Sequence, residues 1–112
     1  MDTDAPLFSI VIPAYNAGDT LASAIDSVLG QTGNASRELV IVDDGSEDAT
    51  RSIAERYAER DSRIRVLSQA NAGTGAALSA GIATAVGEFV VQLGADDELL
   101  PEYCSTIAAF IE

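Results

Sequence analysis

The chain has no lysine, no histidine and a single cysteine in 112 residues. One cysteine permits no internal disulfide. Without a histidine to act as its base, Cys104 reads as a small buried or half-buried residue rather than a nucleophile. Long apolar runs are missing too: no stretch approaches the ~18 residues that read as a membrane span. The start, Met1 to Pro6, lacks the cationic segment and apolar core of a secretory signal. The expectation is an intracellular, cytoplasmic protein, reaching the cytoplasmic face of a membrane only through sequence outside these residues.

Positive charge is scarce. All six cations are arginines, between Arg37 and Arg65, against 18 Asp and Glu, for a net charge of −12. Such a surface repels nucleic acid and anionic membrane. It would repel an anionic ligand as well, unless a divalent cation stood between them. A compositional bias toward Asp, Glu, Arg and Ala accounts for the overall charge, but not for where the paired aspartates fall.

What is present is a core and an alternation. The apolar fraction of 47% is ordinary for a globular domain, and a chain of this length buries roughly 65% of its unfolded surface. Phe8 to Ile12 is an apolar run closed by Pro13 and predicts a buried strand. Leu21, Ala24, Ile25, Val28 and Leu29 follow helical spacing. Leu39 to Val42 predicts a second strand, stopped by Asp43-Asp44-Gly45-Ser46. Ser46 or Asp48 is placed to cap a helix with Ile53, Ala54, Tyr57 and Ala58 on its inner face. Ile64 to Leu67 predicts a third strand and Asn71 to Gly75 a glycine-punctuated loop. A small-residue helix then turns Leu78, Gly81, Ile82 and Ala85 inward. Glu88 to Leu93 predicts a fourth strand, and Leu99 to Glu112 a last helix with Pro101 in its first turn. The order β-α-β-α-β-α-β-α implies an α/β, Rossmann-like, mostly parallel sheet with helices on both faces.

Open α/β sheets bind ligands beyond the carboxyl ends of their strands, where the strand order reverses. With order 3-2-1-4, the loops Pro13-Ala14-Tyr15-Asn16, Asp43-Asp44-Gly45-Ser46 and Gly94-Ala95-Asp96-Asp97 meet at that edge. The carboxylates of Asp43, Asp44, Asp96 and Asp97 would then share one crevice, which is unfavourable without protonation or a cation. Oxygen-only ligands suit Mg2+ or Mn2+, and Mg2+ is usually held by one or two carboxylates plus phosphates. Each piece also has an ordinary reading: Asp-Asp-Gly-Ser as a turn, Asp96-Asp97-Glu98 as the acidic start of a helix, Tyr15 as a core-edge aromatic, Gly73 and Gly75 as loop flexibility. Their coincidence on one sheet edge is what favours a site.

Four segments resemble family 2 glycosyltransferases. Ser9-Ile10-Val11-Ile12-Pro13-Ala14-Tyr15-Asn16 resembles the opening strand and its P-x-Y-N loop. Asp43-Asp44-Gly45-Ser46-x-Asp48-x-Thr50 is similar to the D-D-G-S-x-D-x-T segment. Asn71-x-Gly73 through Gly81 resembles the N-x-G segment, and Gly87-Glu88-Phe89 to Asp96-Asp97 the strand leading into the D-x-D element. The resemblance implies part of a GT-A fold and inverting transfer of a sugar from a nucleoside diphosphate, typically UDP, to an acceptor hydroxyl on a glycan, lipid or polymer. It implies that Pro13, Tyr15 and Asn16 line base and ribose, that Asp43 or Asp44 bonds the nucleobase, and that Asn71, Gly73, Ser79 and Ala95 border the nucleotide. Asp96, with Asp97 beside it, takes the metal position. Gly94 departs from the pattern, standing where the element's first aspartate is usual; Leu78 and Ser79 stand where Arg and Asn are common.

No catalytic residue is assigned within these residues. In the family, the general base and the acceptor site belong to a second half. Residues 1–112 are therefore expected to be the donor-binding half of a cut domain, inactive alone and self-associating through the sheet left uncovered. The alternatives are a non-catalytic nucleotide-binding module or a nucleotidyltransferase-like domain, though the basic glycine-rich loop of the latter is missing. A receiver domain would carry its acidic pair after strand 1 and a lysine after strand 5. A dinucleotide-binding oxidoreductase needs G-x-G-x-x-G after strand 1.

Overall fold

The computed structural model describes residues 5–111. Residues 1–4, within the stretch read for a signal, and Glu112, assigned to the last helix, lie outside them. The elements are β1 (Phe8–Ala14), α1 (Leu21–Leu29), β2 (Arg37–Asp43), α2 (Thr50–Arg60), β3 (Ile64–Ser68), α3 (Thr74–Thr84), β4 (Phe89–Gln92) and α4 (Tyr103–Ile111). The expected alternation holds.

The strands form one sheet in the order β3-β2-β1-β4 with every pairing parallel. β1 is central and buried along its whole length, which explains its unbroken apolar run. Its side chains separate by the two-residue period of a strand. Phe8, Ile10, Ile12 and Ala14 join Leu39 and Ile41 of β2, the inner faces of α1 and α2, and Cys104 of α4 in the larger core. Val11, Val40 and Val42 point the other way, onto Ala77 of α3. Burying each such aliphatic side chain contributes roughly 1.5–3 kcal/mol.

Strand ends shift by one or two residues from the sequence reading, and three boundaries bear on the loops. β1 runs through Pro13 to Ala14, with Pro13 opposite Val42. α3 starts at Thr74, so Gly75 is helical rather than part of the loop. α4 starts at Tyr103, not Leu99, and Pro101 sits in the turn before it. A buried glutamine holds that turn. Gln31 donates to the Leu100 carbonyl at 2.7 Å and accepts from the Cys104 amide at 2.8 Å.

The inward face of α3 also differs. Ala77 and Gly81 are buried, whereas Ile82 is 46% exposed. A Cβ on Gly81 would lie 2.3 Å from Val11 Cγ1. The helix backbone therefore lies directly on the sheet, and only small residues fit beneath it.

Candidate functional site

The strand order reverses between β1 and β4, which stay parallel: β2 and β3 are added on one side of β1 and β4 on the other. A cavity of about 470 Å3 opens above that gap, lined by Pro13, Tyr15, Asn16, Ala17 and Thr20 after β1, by Thr74 at the start of α3, and by Gln92, Gly94, Ala95 and Asp96 at the end of β4. Its lining holds no cation and one carboxylate, Asp96. Another cavity of about 450 Å3, containing Arg37 and Arg63, lies around the amino ends of β1 and β2. Strand amino ends are not where open α/β sheets carry their sites. Its cations are also committed: Arg63 pairs with Asp61 at 2.7 Å, and Arg37 donates to the carbonyls of Val28 and Leu29 at the end of α1.

The sequence-expected residues divide. Pro13, Tyr15, Asn16, Ala95 and Asp96 line the cavity. Asp43, Asp44, Asn71, Gly73, Ser79 and Asp97 do not. Thr20, Thr74 and Gln92 line it without having been singled out; as polar residues with no motif attached, they give no signal until the loops are assembled. Ser79 is exposed on α3, five positions beyond Thr74 and thus ~7.5 Å along the helix.

The four aspartates do not gather as expected. Among the described residues no group of three or more acidic, His or Cys side chains is placed to hold a metal. The reason lies in their hydrogen bonds. Asp43 is 3% exposed and accepts the Ser46 amide on Oδ1 at 3.2 Å. Asp44 is 2% exposed and is not part of the cavity lining. Its Oδ1 accepts Gln69 Nε2 at 2.9 Å and the Ala72 amide at 2.8 Å. Its Oδ2 accepts the Gly73 amide at 2.9 Å and Asn71 Nδ2 at 3.2 Å. These donors, Gln69 first and then the Ala72 and Gly73 amides, hold the Asp44 carboxyl below the usual aspartate range.

The rest of the acidic segment is a clamp. Ser46 Oγ accepts the Asn16 amide at 2.9 Å, and Asn16 Oδ1 accepts the Glu47 amide at 2.8 Å. Asp48 accepts the Gly18 amide at 3.0 Å and the Thr50 amide at 2.9 Å, and Thr50 Oγ1 accepts the Ala17 amide at 2.8 Å. Neither Ser46 nor Asp48, expected from the sequence to cap α2, is its N-cap: Ala49 holds that position with no side-chain cap bond, Asp48 accepts the first helical amide from one residue earlier, and Ser46 serves the neighbouring loop. Asn16 takes a left-handed φ of 48°, which asparagine tolerates, so that its side chain reaches across. Gly45 has φ +75°, and a Cβ there would meet the Asn71 nitrogen at 2.6 Å. Only glycine lets the two loops touch.

The D-x-D region has its own geometry. Asp96 and Asp97 are exposed in the turn after β4, closed by the Asp97 amide donating to the Gly94 carbonyl at 3.0 Å. A Cβ on Gly94 would lie 2.5 Å from Asp97 Oδ2. The Asp97 carboxylate therefore occupies the room a side chain at position 94 would need. The donor set is oxygen only, with one carboxylate in the cavity and a second beside it, which fits a hard divalent cation completed by phosphate oxygens.

A four-stranded parallel sheet, covered on both faces and carrying its cavity at the β1/β4 reversal, is the Rossmann-like α/β arrangement of GT-A glycosyltransferases. Comparison with known proteins narrows this. The profile described as "Glycosyl transferase family 2" matches residues 9–112, and the chain belongs to that family. It is 42% identical over 99 residues to the uncharacterized glycosyltransferase YibD of Escherichia coli, covering 88% of this chain and 28% of that protein. It is 39% identical over 101 residues to the putative glycosyltransferase EpsH of Bacillus subtilis, covering 90% and 29%. Among solved structures, S. aureus TarS 1-349 in complex with UDP-GlcNAc superimposes with TM-score 0.86 at 32% identity, over 93% of this chain and 30% of that one. The mannosyltransferase PcManGT of Pyrobaculum calidifontis, in complex with GDP-Man and Mn2+, superimposes with TM-score 0.75 at 28% identity, over 86% and 29%. The chain thus spans less than a third of the length of these relatives. Among the described residues no helix is long and apolar enough to cross a membrane.

Proposed function

We propose that this chain is the donor-binding part of an inverting glycosyltransferase and holds a nucleoside diphosphate sugar, UDP-linked, in the cavity above β1 and β4. The observation that carries this reading is the coincidence of that cavity with the reversal of strand order, lined by the family's P-x-Y-N loop and D-x-D turn. The nucleotide complexes of the neighbours TarS and PcManGT support it.

Pro13, Tyr15 and Asn16 form the side of the cavity assigned to base and ribose. Asp43 or Asp44, at the carboxyl end of β2, is assigned to the nucleobase; Asp43 keeps Oδ2 without a hydrogen bond among the described residues, and both oxygens of Asp44 are bonded within the chain. Thr74 begins α3 and lines the cavity, and the first amides of a helix, which have no partner within it, suit a diphosphate there. A hard divalent cation, Mg2+ or Mn2+, held at Asp96 with Asp97 beside it, would neutralise the phosphate charge that a chain of net charge −12 otherwise repels.

The acceptor site and the carboxylate general base are assigned to sequence outside these residues. Such a base contributes ~10²–10⁴-fold to rate, so the chain alone is expected to bind donor without transferring sugar. Titration calorimetry with UDP, GDP and dTDP, each with and without Mn2+, tests the reading. Metal-dependent binding of UDP is the expected result; no metal-dependent binding by any of the three refutes the donor site. Sugar transfer by the 112 residues alone refutes the division of labour.

A further inference from the structure

Glutamine is mostly a surface residue, but Gln31, just beyond the end of α1, is buried and bridges to a segment far away in sequence. Its Nε2 donates to the Leu100 carbonyl at 2.7 Å and to the Ser27 carbonyl at 3.0 Å, and its Oε1 accepts the Cys104 amide at 2.8 Å. A carboxamide supplies donor and acceptor together, which neither a carboxylate nor an apolar side chain does. Further bonds join the same two stretches. Ser27 Oγ accepts the Leu99 amide at 3.0 Å, and the Pro101 carbonyl accepts the Thr32 amide at 2.9 Å and Thr32 Oγ1 at 3.1 Å. Residues 27–32 thus hold residues 99–104, 69–73 positions later.

The held segment follows the turn that carries Asp96 and Asp97. That turn is entered from β4 with the Leu93 amide on the Val11 carbonyl at 2.9 Å. The carboxylates of Asp96 and Asp97 are exposed and have no hydrogen bond among the described residues. Where they stand is therefore set by the two ends of the turn: the sheet before it, and the bridge to Ser27 and Gln31 after it. Packing adds less, since Leu99 is half-buried and Leu100 is 73% exposed. A cavity of about 450 Å3 also opens between α1 and this segment, lined by Ser23, Asp26 and Ser27 on one side and by Glu98 to Pro101 on the other.

We propose that Gln31, with Ser27, is a positioning residue for the metal-side turn: from the end of α1 it fixes where the chain leaves Asp96 and Asp97, and it touches neither nucleotide nor metal. Metal–oxygen bonds accept only about 0.2 Å of spread, so a turn loosened at its exit loses cation affinity while the nucleotide side of the cavity stays in place. This rests on the donor-site reading for its consequence in binding; the bridge itself stands apart from it.

Two measurements on the 112-residue chain test this. Gln31→Met keeps the length of the side chain and removes both ends of the bridge. Ser27→Ala removes only the bond to Leu99, and it serves if Gln31→Met folds poorly. Without ligand, the amide resonances of Asp96 and Asp97 should shift in both variants while those of Ile12 and Ile41 in the sheet stay in place. The Cys104 amide should exchange ~10-fold faster in Gln31→Met. Calorimetry with UDP, with and without Mn2+, reads the consequence. The factor by which Mn2+ strengthens UDP binding should fall about 10-fold in Gln31→Met, the low end of what outer partners of a metal ligand contribute, and less in Ser27→Ala. Binding of UDP alone should match the wild type. A residue that only held the fold together would lower the urea midpoint and leave the Mn2+ factor as it was, so an unchanged factor in both variants overturns the proposal. So does an equal loss with and without Mn2+, which would mean that the whole cavity is deformed. If the wild type shows no Mn2+-dependent binding of UDP, the donor-site reading fails instead. The Asp96 and Asp97 resonances then decide alone: shifted, the bridge sets the turn; unshifted in both variants, it does not.

Discussion

Glu38 and Asp43 stand near opposite ends of β2, 8% and 3% exposed, and the fold treats their carboxylates differently. Glu38 is enclosed by donors: Ser9 Oγ, the Val86 amide at 2.8 Å and Arg65 NH2 at 2.6 Å. Arg65 goes on to the Thr84 carbonyl at 2.9 Å, and Ser9 Oγ accepts the Gly87 amide at 2.7 Å. This closed network ties the connection entering β4 to the amino ends of β1 and β2. At the other end Asp43 uses one oxygen, and Asp96 and Asp97 are exposed with no side-chain partner among the described residues. A saturated carboxylate holds structure, and one with spare oxygens is available to a ligand. Asp44 has at least as many bonds to its carboxylate as Glu38, although it sits beyond the carboxyl end of β2.

The contrast can be broken by experiment. The largest effect is expected at the open end: Asp96→Ala should remove the metal-dependent part of UDP binding, at least ~100-fold or roughly 2.7 kcal/mol, with the urea midpoint unchanged. A comparable loss of stability would show that Asp96 holds structure after all. Next comes the tight face of α3. Gly81→Ala gains about 1 kcal/mol of helix propensity, but its methyl meets Val11 at 2.3 Å and Val42 at 3.2 Å. Overpacking of this kind costs ~1–3 kcal/mol, and so close an approach lets the clash win. A urea midpoint at or above that of the wild type would mean that α3 can lift off the sheet.

Glu38→Gln should act in the opposite sense to Asp96→Ala, lowering stability by ~1–3 kcal/mol and leaving UDP affinity unaltered. Its pH dependence has a definite sign. Burial pushes the Glu38 carboxyl upward, but the bonds from Ser9, Val86 and Arg65 outweigh it, so its folded pKa lies below the ordinary 4.5. Its contribution is therefore complete above pH 4.5 and is lost as pH falls through the folded value. The stability gap between wild type and Glu38→Gln should narrow below that pH; a gap that widens in acid would contradict the network. The smallest effect concerns the uncovered edge. Val86 and Val90 near β4, and Phe110 on α4, are 58%, 44% and 84% exposed. Sedimentation should show concentration-dependent self-association of the chain, and strictly monomeric behaviour at all concentrations would remove that expectation.

Much of this was legible beforehand. The unbroken apolar runs of β1 and β2, the helical spacing of α1 and the glycine and acidic punctuation at the strand ends located the elements and the edge at which the cavity opens. The differences fell where pattern and packing part. Ile82 has the spacing of a core residue, but the inner face of α3 is too close to the sheet to accept it. Ser79 falls in a motif, yet the helix carries it away from the cavity. Thr20, Thr74 and Gln92 have no local mark and become neighbours only when β4 returns beside β1.

The sequence by itself determined the alternating α/β class, the family and the strand ends at which charge would collect, because these depend on periodicities and motifs within short windows of chain. It could not divide the work among four aspartates of the same type. That division depends on which oxygens are already taken, and the donors that take those of Asp44 lie 25–29 residues away. Only the folded chain brings Gln69, Asn71, Ala72 and Gly73 onto Asp44 and leaves Asp43 and Asp96 with oxygens to spare.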